Sequence, residues 1–326
     1  MSAPQVVVAR KPPGKTLRLL LDAYDTWVWE EDRTMPRDLL LDKVRDAIGL
    51  YTMWTDQVNQ ELLDHAPRLR AVSQMAAGVE NIDLAACTAR GVPVGFTPGA
   101  GAEATADQTM AILLALSRRI VDGALYVKAG RWKDWSPIVL MGNDVFGKTM
   151  GIVGMGRIGR CIARRARGFS MPLLYTGRSR KPDAEREFGA QYRSLDALLA
   201  EADIVVLILP LTPETTHLID AAALARMKPG AILVNMARGP VVDSHALYEA
   251  LADGRLRGAA LDVTEPEPIN MDNPLLTLEN CLIVPHTGTT TEETREVMTD
   301  MSVRNLLNGI EGRPMLHCAN PEAQLR

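Results

Sequence analysis

The chain reads as an α/β protein made of two doubly wound parallel sheets, and three observations predict this. Short apolar runs alternate with helical patterns along nearly all of its 326 residues, the signature of parallel strands covered by helices. That length suits about two domains with ample core. The apolar run Met150 to Val153 also leads straight into Gly154-x-Gly156-x-x-Gly159, a strand, a tight turn and a helix start in the order that holds a dinucleotide.

Composition narrows the function. Hydrophobic residues make up 47% and charged residues 23%, ordinary for a globular protein. The net charge is −4, from 36 basic and 40 acidic residues, with no long charge run. A nucleic acid or a membrane surface is therefore not the expected partner. Cys87, Cys161, Cys281 and Cys318 lack metal-ligand spacing, so no metal is expected and the thiols read as reduced. The N-terminus lacks a basic-then-apolar leader, and no apolar run approaches about 18 residues. A cytoplasmic protein is expected.

The elements follow in order. Val6 to Val8, Gly49 to Met53, Leu69 to Ser73 and Val92 to Val94 are strand candidates. Pro36 to Ala47 and Ile82 to Arg90 pattern as helices, the first opened by its proline. A long apolar-periodic helix runs from Ala102 to about Ile120, and Trp132 to Pro137 is aromatic and irregular. Beyond Thr149, Leu173 to Thr176, Ile204 to Leu209, Ala231 to Asn235, Gly258 to Asp262 and Leu282 to Val284 read as buried strands. Ser194 to Ala200, Ala221 to Met227 and Ser244 to Ala252 are amphipathic and fill the gaps. A last helix, Glu292 to Asn308, makes the second unit an insertion in the first if it packs back on the N-terminal half.

The glycine motif has a physical logic. Gly154 allows the turn, Gly156 lets a pyrophosphate approach the backbone, and Gly159 lets helix and strand pack closely. The helix start, with Arg157 and Ile158, offers N–H groups and a positive dipole end. Pro210, just past a strand end, is counted with the expected cofactor contacts. The second strand ends at Gly177, where an NAD-preferring site places Asp or Glu. Here Arg178, Ser179, Arg180 and Lys181 follow instead. Two forked guanidiniums and a hydroxyl suit a 2′-phosphate. NADP is the expected cofactor, with NAD possible; a solvated basic loop is the alternative.

Ligands bind beyond the carboxyl ends of strands in an open parallel sheet, which singles out three residues. Arg238 follows one strand end and could grip a carboxylate, or could be an ordinary surface arginine. Glu265 and Glu267 share a proline-rich turn, with Pro266 and Pro268 stiffening the loop around Glu267, although two glutamates in such a turn are more often solvated than catalytic. His286 alone of five histidines follows directly on a predicted parallel strand, with Gly288 just beyond. Beside a carboxylate, a histidine is a natural proton donor at neutral pH. Any one of these is commonplace. All three at strand ends of one sheet are not.

Together with further motifs, these residues resemble the D-isomer-specific 2-hydroxyacid dehydrogenase family, and most of all its glyoxylate/hydroxypyruvate reductases. The resemblance spans nearly the whole chain. It rests on Ala77 to Asp83, Thr97-Pro98-Gly99, Glu103 to Asp107, the Gly154 motif, Ala237 to Asp243, Leu261 to Pro268 and Pro285 to Gly288. It implies a flavodoxin-like substrate domain of residues 1–101 and 290–326. It also implies a Rossmann cofactor domain of residues 102–289, with a dimerisation arm at about 120–147. The family's catalytic arginine, glutamate and histidine fall on Arg238, Glu267 and His286. Its carboxylate-binding backbone loop falls on Ala76, Ala77, Gly78 and Val79, and Thr105 and Asp262 match cofactor-contacting positions.

The implied activity is NADPH-dependent reduction of a small 2-oxo acid by a homodimer, with His286 as proton donor. In the glyoxylate/hydroxypyruvate reductases a tryptophan reaches the partner's substrate site, and Trp135 is its match here. Three departures bear on substrate size: Thr287 replaces a bulkier apolar residue, Ala100 to Ala102 are small, and Trp54 stands where a leucine-like residue is typical. A bulkier, sugar-derived 2-oxo acid is the alternative substrate. A nucleotide-sensing corepressor on the same fold is the alternative of another class.

Overall fold

The computed structural model describes residues 5–325. Residues up to Gly101 together with those from Thr290 onward form one compact unit, and Ala102 to Thr289 form the other.

In the first unit the strands are β1 (Val6–Val8), β2 (Thr26–Val28), β3 (Gly49–Thr52), β4 (Ala71–Gln74) and β5 (Val94–Gly95). They form one parallel sheet in the order β2-β1-β3-β4-β5, the flavodoxin-like doubly wound order. Side chains alternate across it. Val7, Leu50, Val72 and Val94 pack with α2 (Arg37–Lys43), α3 (Gln60–His65) and α4 (Leu84–Ala89). Val6, Val8, Tyr51 and Ala71 face the other way, against α1 (Arg18–Ala23) and Met298, Val303, Leu306 and Ile310. Those four belong to α12 (Glu292–Ile310), so the last helix covers the N-terminal sheet. The approach is close: Tyr51 and Ser302 hydroxyls are 2.8 Å apart, and a Cβ on Gly95 would stand 2.6 Å from that of Asn305.

The second unit begins with α5 (Ala102–Ser117) and α6 (Ile120–Lys128). The helix expected to run to about Ile120 ends at Ser117, where Arg119 turns left-handed at φ 50° before α6. The strands are β6 (Met150–Val153), β7 (Leu173–Thr176), β8 (Gln191–Tyr192), β9 (Ile204–Leu207), β10 (Ile232–Asn235), β11 (Gly258–Leu261) and β12 (Cys281–Ile283). Their order is β12-β11-β10-β9-β6-β7-β8, all parallel. The direction in which strands are added reverses between β6 and β9, the switch point where a nucleotide crevice opens.

On one face of this sheet Ile152, Tyr175 and Val206 pack with α5 and with α7 (Arg157–Arg167). On the other, Val153, Leu174, Val205 and Leu233 pack against α9 (Leu195–Glu201), α10 (Ala221–Arg226) and α11 (Ser244–Ala252). α8 (Pro182–Phe188) bridges β7 and β8. A fully buried Ile152 contributes about 1.5–3 kcal/mol of transfer free energy. Among the described residues, no helix is long and apolar enough to cross a membrane.

Candidate active site

The glycine turn is built as its chemistry requires. Gly154 has φ +113°, and a Cβ there would lie 2.2 Å from the Ile208 carbonyl oxygen. A Cβ on Gly159 would lie 2.2 Å from the Gly154 carbonyl oxygen, so helix and turn touch backbone to backbone. Around Gly156 a Cβ would meet nothing within 4 Å. That open side is where a pyrophosphate needs to come near the backbone, so the turn fits a dinucleotide. Gly156 caps α7 without a side-chain hydrogen bond, Arg157 opens the helix exposed, and Ile158 packs into the core.

Neighbouring strand ends flank this turn. The Gly154 N–H donates to Thr176 O at 3.0 Å, and Ile208 N–H to Val153 O at 2.9 Å. Gly177 therefore stands beside the turn on one side and the segment leading to Pro210 on the other. The Pro210 carbonyl accepts the Thr215 hydroxyl at 2.9 Å. Gly177 is in open space, and Arg178, Ser179 and Arg180 are exposed. Arg180, expected to offer its fork to a phosphate, instead holds Glu185 through Nε at 2.7 Å and Nη2 at 2.9 Å. Glu185 is close because Pro182 starts α8 at once, folding the helix back over the loop.

The three strand-end candidates share one edge. Asn235 pairs with Leu261, and Leu261 with Ile283, so the loops after β10, β11 and β12 leave side by side. The buried Asn235 holds the first loop, accepting Ala237 N–H and donating to Arg238 O, both at 3.0 Å. Arg238 itself is half-buried and donates from Nη1 to Ala237 O at 2.8 Å. Gly239 then presses on the next loop: a Cβ there would be 1.9 Å from the Thr264 carbonyl oxygen.

His286 and Glu267 meet directly, with Nδ1 to Oε1 at 2.5 Å. Glu267 is 20% and His286 35% exposed at the side chain, so the pair is sheltered yet the ring keeps an open side. His286 has φ +52°, a left-handed conformation uncommon outside glycine. Its loop is held by Asp262, whose carboxylate accepts Thr287 N–H at 2.7 Å, Gly288 N–H at 3.0 Å and the Thr287 hydroxyl at 3.3 Å. Burial pushes the Asp262 carboxyl up from its ordinary range, against the pull of these donors. Gln108 adds a hydrogen bond to the Thr287 hydroxyl at 2.9 Å. The departure at Thr287 thus braces the histidine loop. Thr105 lies in the same cluster: a Cβ on Gly288 would be 2.9 Å from Asp262 Oδ2 and 3.6 Å from the Thr105 methyl.

Other motif residues prove structural. Asp243 caps α11 through the His245 and Ala246 N–H groups. Glu103 and Asp107, one turn apart on α5, hold Arg164 and Arg165 of α7.

In the first unit, Trp54 follows β3 and Ala76 to Val79 follow β4, and these strands are adjacent, Thr52 pairing with Gln74. The loop is pinned by buried amides that sequence reasoning passed over. Gln74 donates to Gly78 O at 2.8 Å and Asn81 to Asp56 O at 2.6 Å, and the two side chains bond each other at 2.7 and 3.0 Å. A buried Gln as the last residue of a strand is the signal that could have found them. Trp135 is 77% exposed, in the irregular segment after α6.

Known proteins resemble this chain in sequence and fold over nearly its whole length. Residues 110–288 match the family profile described as "D-isomer specific 2-hydroxyacid dehydrogenase, NAD binding domain". A glyoxylate reductase of Thermococcus onnurineus is 45% identical over 308 residues, 93% of this chain and 92% of that protein. One of Aeropyrum pernix is 44% identical over 326 residues, covering 99% and 97%. Among solved structures, a Thermus thermophilus protein superposes with TM-score 0.92 at 44% identity, covering 96% of this chain and 99% of that one. An NADPH-dependent glyoxylate/hydroxypyruvate reductase of Sinorhizobium meliloti, solved with NADP and malonate, does so with TM-score 0.85 at 29% identity, covering 99% and 98%.

Proposed function

The chain belongs to the D-isomer specific 2-hydroxyacid dehydrogenases, and from that premise we propose that it reduces a small 2-oxo acid of the glyoxylate or hydroxypyruvate type with NADPH. The product is the 2-hydroxy acid, of D configuration where C2 is a stereocentre. The turn from Gly154 to Gly159 would hold a nicotinamide cofactor, whose chemistry there would be hydride supply to C2.

The chain's own residues supply orientation and the proton. Arg238, fixed by Asn235, grips the substrate with its planar fork. Ala76 to Val79 are assigned backbone donors to the substrate carboxylate, on the strength of the resemblance. His286 Nε2 protonates the carbonyl oxygen as it becomes a hydroxyl. Glu267 holds Nδ1, which fixes the ring's tautomer and aim. In the oxidative direction the same nitrogen takes the proton back.

The observation that carries the reading is the His286–Glu267 contact at 2.5 Å, on loops that leave the sheet beside that of Arg238. Preference for NADPH is supported by the missing acid at Gly177 and by Arg178 and Ser179 beyond it. A homodimer is supported by the apolar residues that α6 and the following segment expose, Leu125 at 56%, Trp132 at 64% and Phe146 at 69% among them; patches of that kind mark interfaces. Trp54 and Trp135 are then the residues that set substrate size. The four free cysteines fit a reducing cytoplasm.

Steady-state rates with a panel of 2-oxo acids, each with NADPH and NADH, test the reading. Glyoxylate and hydroxypyruvate should lead, with kcat/KM for NADPH at least about tenfold above NADH, the worth of one charge-assisted hydrogen bond. A chain that turns over a bulky 2-oxo acid best, or none, overturns it.

A further inference from the structure

The segment Gly177 to Lys181, beside the glycine turn, is tied at both ends by tyrosines. Tyr175 on β7 is wholly buried. Its hydroxyl accepts the Lys181 N–H at 2.6 Å and donates to Glu185 Oε1 at 2.7 Å. Tyr192 on β8 packs edge-on against the Tyr175 ring at 5.4 Å and donates to Gly177 O at 3.4 Å. Between these ties stand Arg178, Ser179 and Arg180, all exposed, and Lys181 Nζ donates to the Ser179 hydroxyl at 3.0 Å.

Glu185 has two jobs here. It receives Tyr175, and it binds both Nε and Nη2 of Arg180. A bare carboxylate beside this loop would oppose a 2′-phosphate, as the acid of an NAD site does. Paired with Arg180, its charge is cancelled, and the contact with Arg180 holds the Glu185 carboxyl below its usual range.

We propose that Tyr175 and Glu185 are positioning residues for cofactor choice: they fix the 177–181 segment so that Arg178 and Ser179 face the 2′-phosphate, while Arg180 serves as a brace that neutralises Glu185. The inference rests on the NADPH preference argued above. A loop already ordered in its binding shape loses less freedom on binding, so removing the ties weakens the phosphate contact without touching the phosphate ligands.

The test is calorimetric binding of adenosine 2′,5′-bisphosphate and adenosine 5′-monophosphate to the full-length protein. The wild type should favour the bisphosphate at least about tenfold; no preference would overturn the NADPH reading itself. Tyr175→Phe should cut that advantage about threefold to tenfold, while affinity for the monophosphate and kcat at saturating NADPH stay unchanged. An undiminished advantage in a wild-type-like fold overturns the positioning role and leaves the NADPH reading intact. A double-mutant comparison supports this independently of Tyr175. Arg180→Gln should lose most of the advantage, and Arg180→Gln with Glu185→Gln should recover at least about half of it, because charge balance returns. A double variant as poor as the single one means that Arg180 contacts the phosphate, and overturns the proposal.

Discussion

His286 Nδ1 and Glu267 Oε1 are 2.5 Å apart, although the two residues stand 19 positions apart in sequence with a strand between them. In the proposed reaction Nε2 carries the proton, and Glu267 is the group that aims the ring through Nδ1. Replacing Glu267 with Gln keeps an acceptor but removes the charge. We expect kcat to fall at least about tenfold, short of the 10²- to 10⁴-fold tied to a proton-transferring group itself. NADPH affinity, measured by fluorescence titration, should hold. Equal losses in kcat and in NADPH binding would mean that Glu267 supports the fold rather than the imidazole.

Gly239 joins the loops of Arg238 and Glu267. A Cβ there would sit 1.9 Å from the Thr264 carbonyl oxygen, and backbone cannot swing aside as a flexible side chain can. Gly239→Ala should cost about 1–3 kcal/mol by denaturant titration, the usual toll of overpacking. Its kcat/KM should fall as the two loops part. Wild-type stability with wild-type activity would show that the loops move independently.

Two glycines of the cofactor turn should respond in opposite ways. Gly159→Ala places a Cβ 2.2 Å from the Gly154 carbonyl oxygen and should lose about 1–3 kcal/mol of stability. Gly156→Ala meets no protein atom within 4 Å and should fold within about 1 kcal/mol of wild type. Its deficit should appear as weaker binding of NADPH and NADH alike, on the order of tenfold. A Gly156→Ala protein that binds both cofactors normally would remove that glycine from the pyrophosphate site.

Glu103 supplies a pH-dependent link between α5 and α7. Arg164 first, and then Arg165, hold its carboxyl down to about 2. A lowered value in the fold means stabilisation that is complete above the ordinary glutamate value of about 4.3 and disappears as the pH falls toward 2. Glu103 is 60% exposed, so screening keeps the contribution to about 0.2–1 kcal/mol. The stability difference between wild type and Glu103→Gln should be steady near neutrality and shrink under acid. A gap that persists to low pH points to packing instead of charge.

What could be read from the sequence follows from burial. The central strands β6, β7, β9, β10 and β11 are buried at every position, so each leaves an apolar run, closed by Thr176 in β7 and by Asn235 in β10. The edges left no such trace. β8 is two exposed residues, and β2 is Thr-Trp-Val, half-buried and steadied by Trp27 stacking on Trp29. α6 was hidden because it has no buried residues, its apolar side chains facing outward.

The site divides in the same way. That Arg238, Glu267 and His286 lie on loops just beyond strand ends was legible from the apolar runs before them, whereas Glu267 was singled out from Glu265 by the family resemblance. The bracing by Asp262, Asn235 and Gln74 was not, since it depends on loops folding back on side chains far along the chain. The pairing of Arg180 with Glu185 was hidden for a similar reason, as it needs the turn that Pro182 sets.

The most direct test of the account is single-turnover reduction of glyoxylate by His286→Ala protein loaded with NADPH, followed by cofactor absorbance. The rate should fall at least about 100-fold below wild type, the low end for loss of a general acid, with the NADPH Kd unchanged. A near-normal rate from that variant would contradict it.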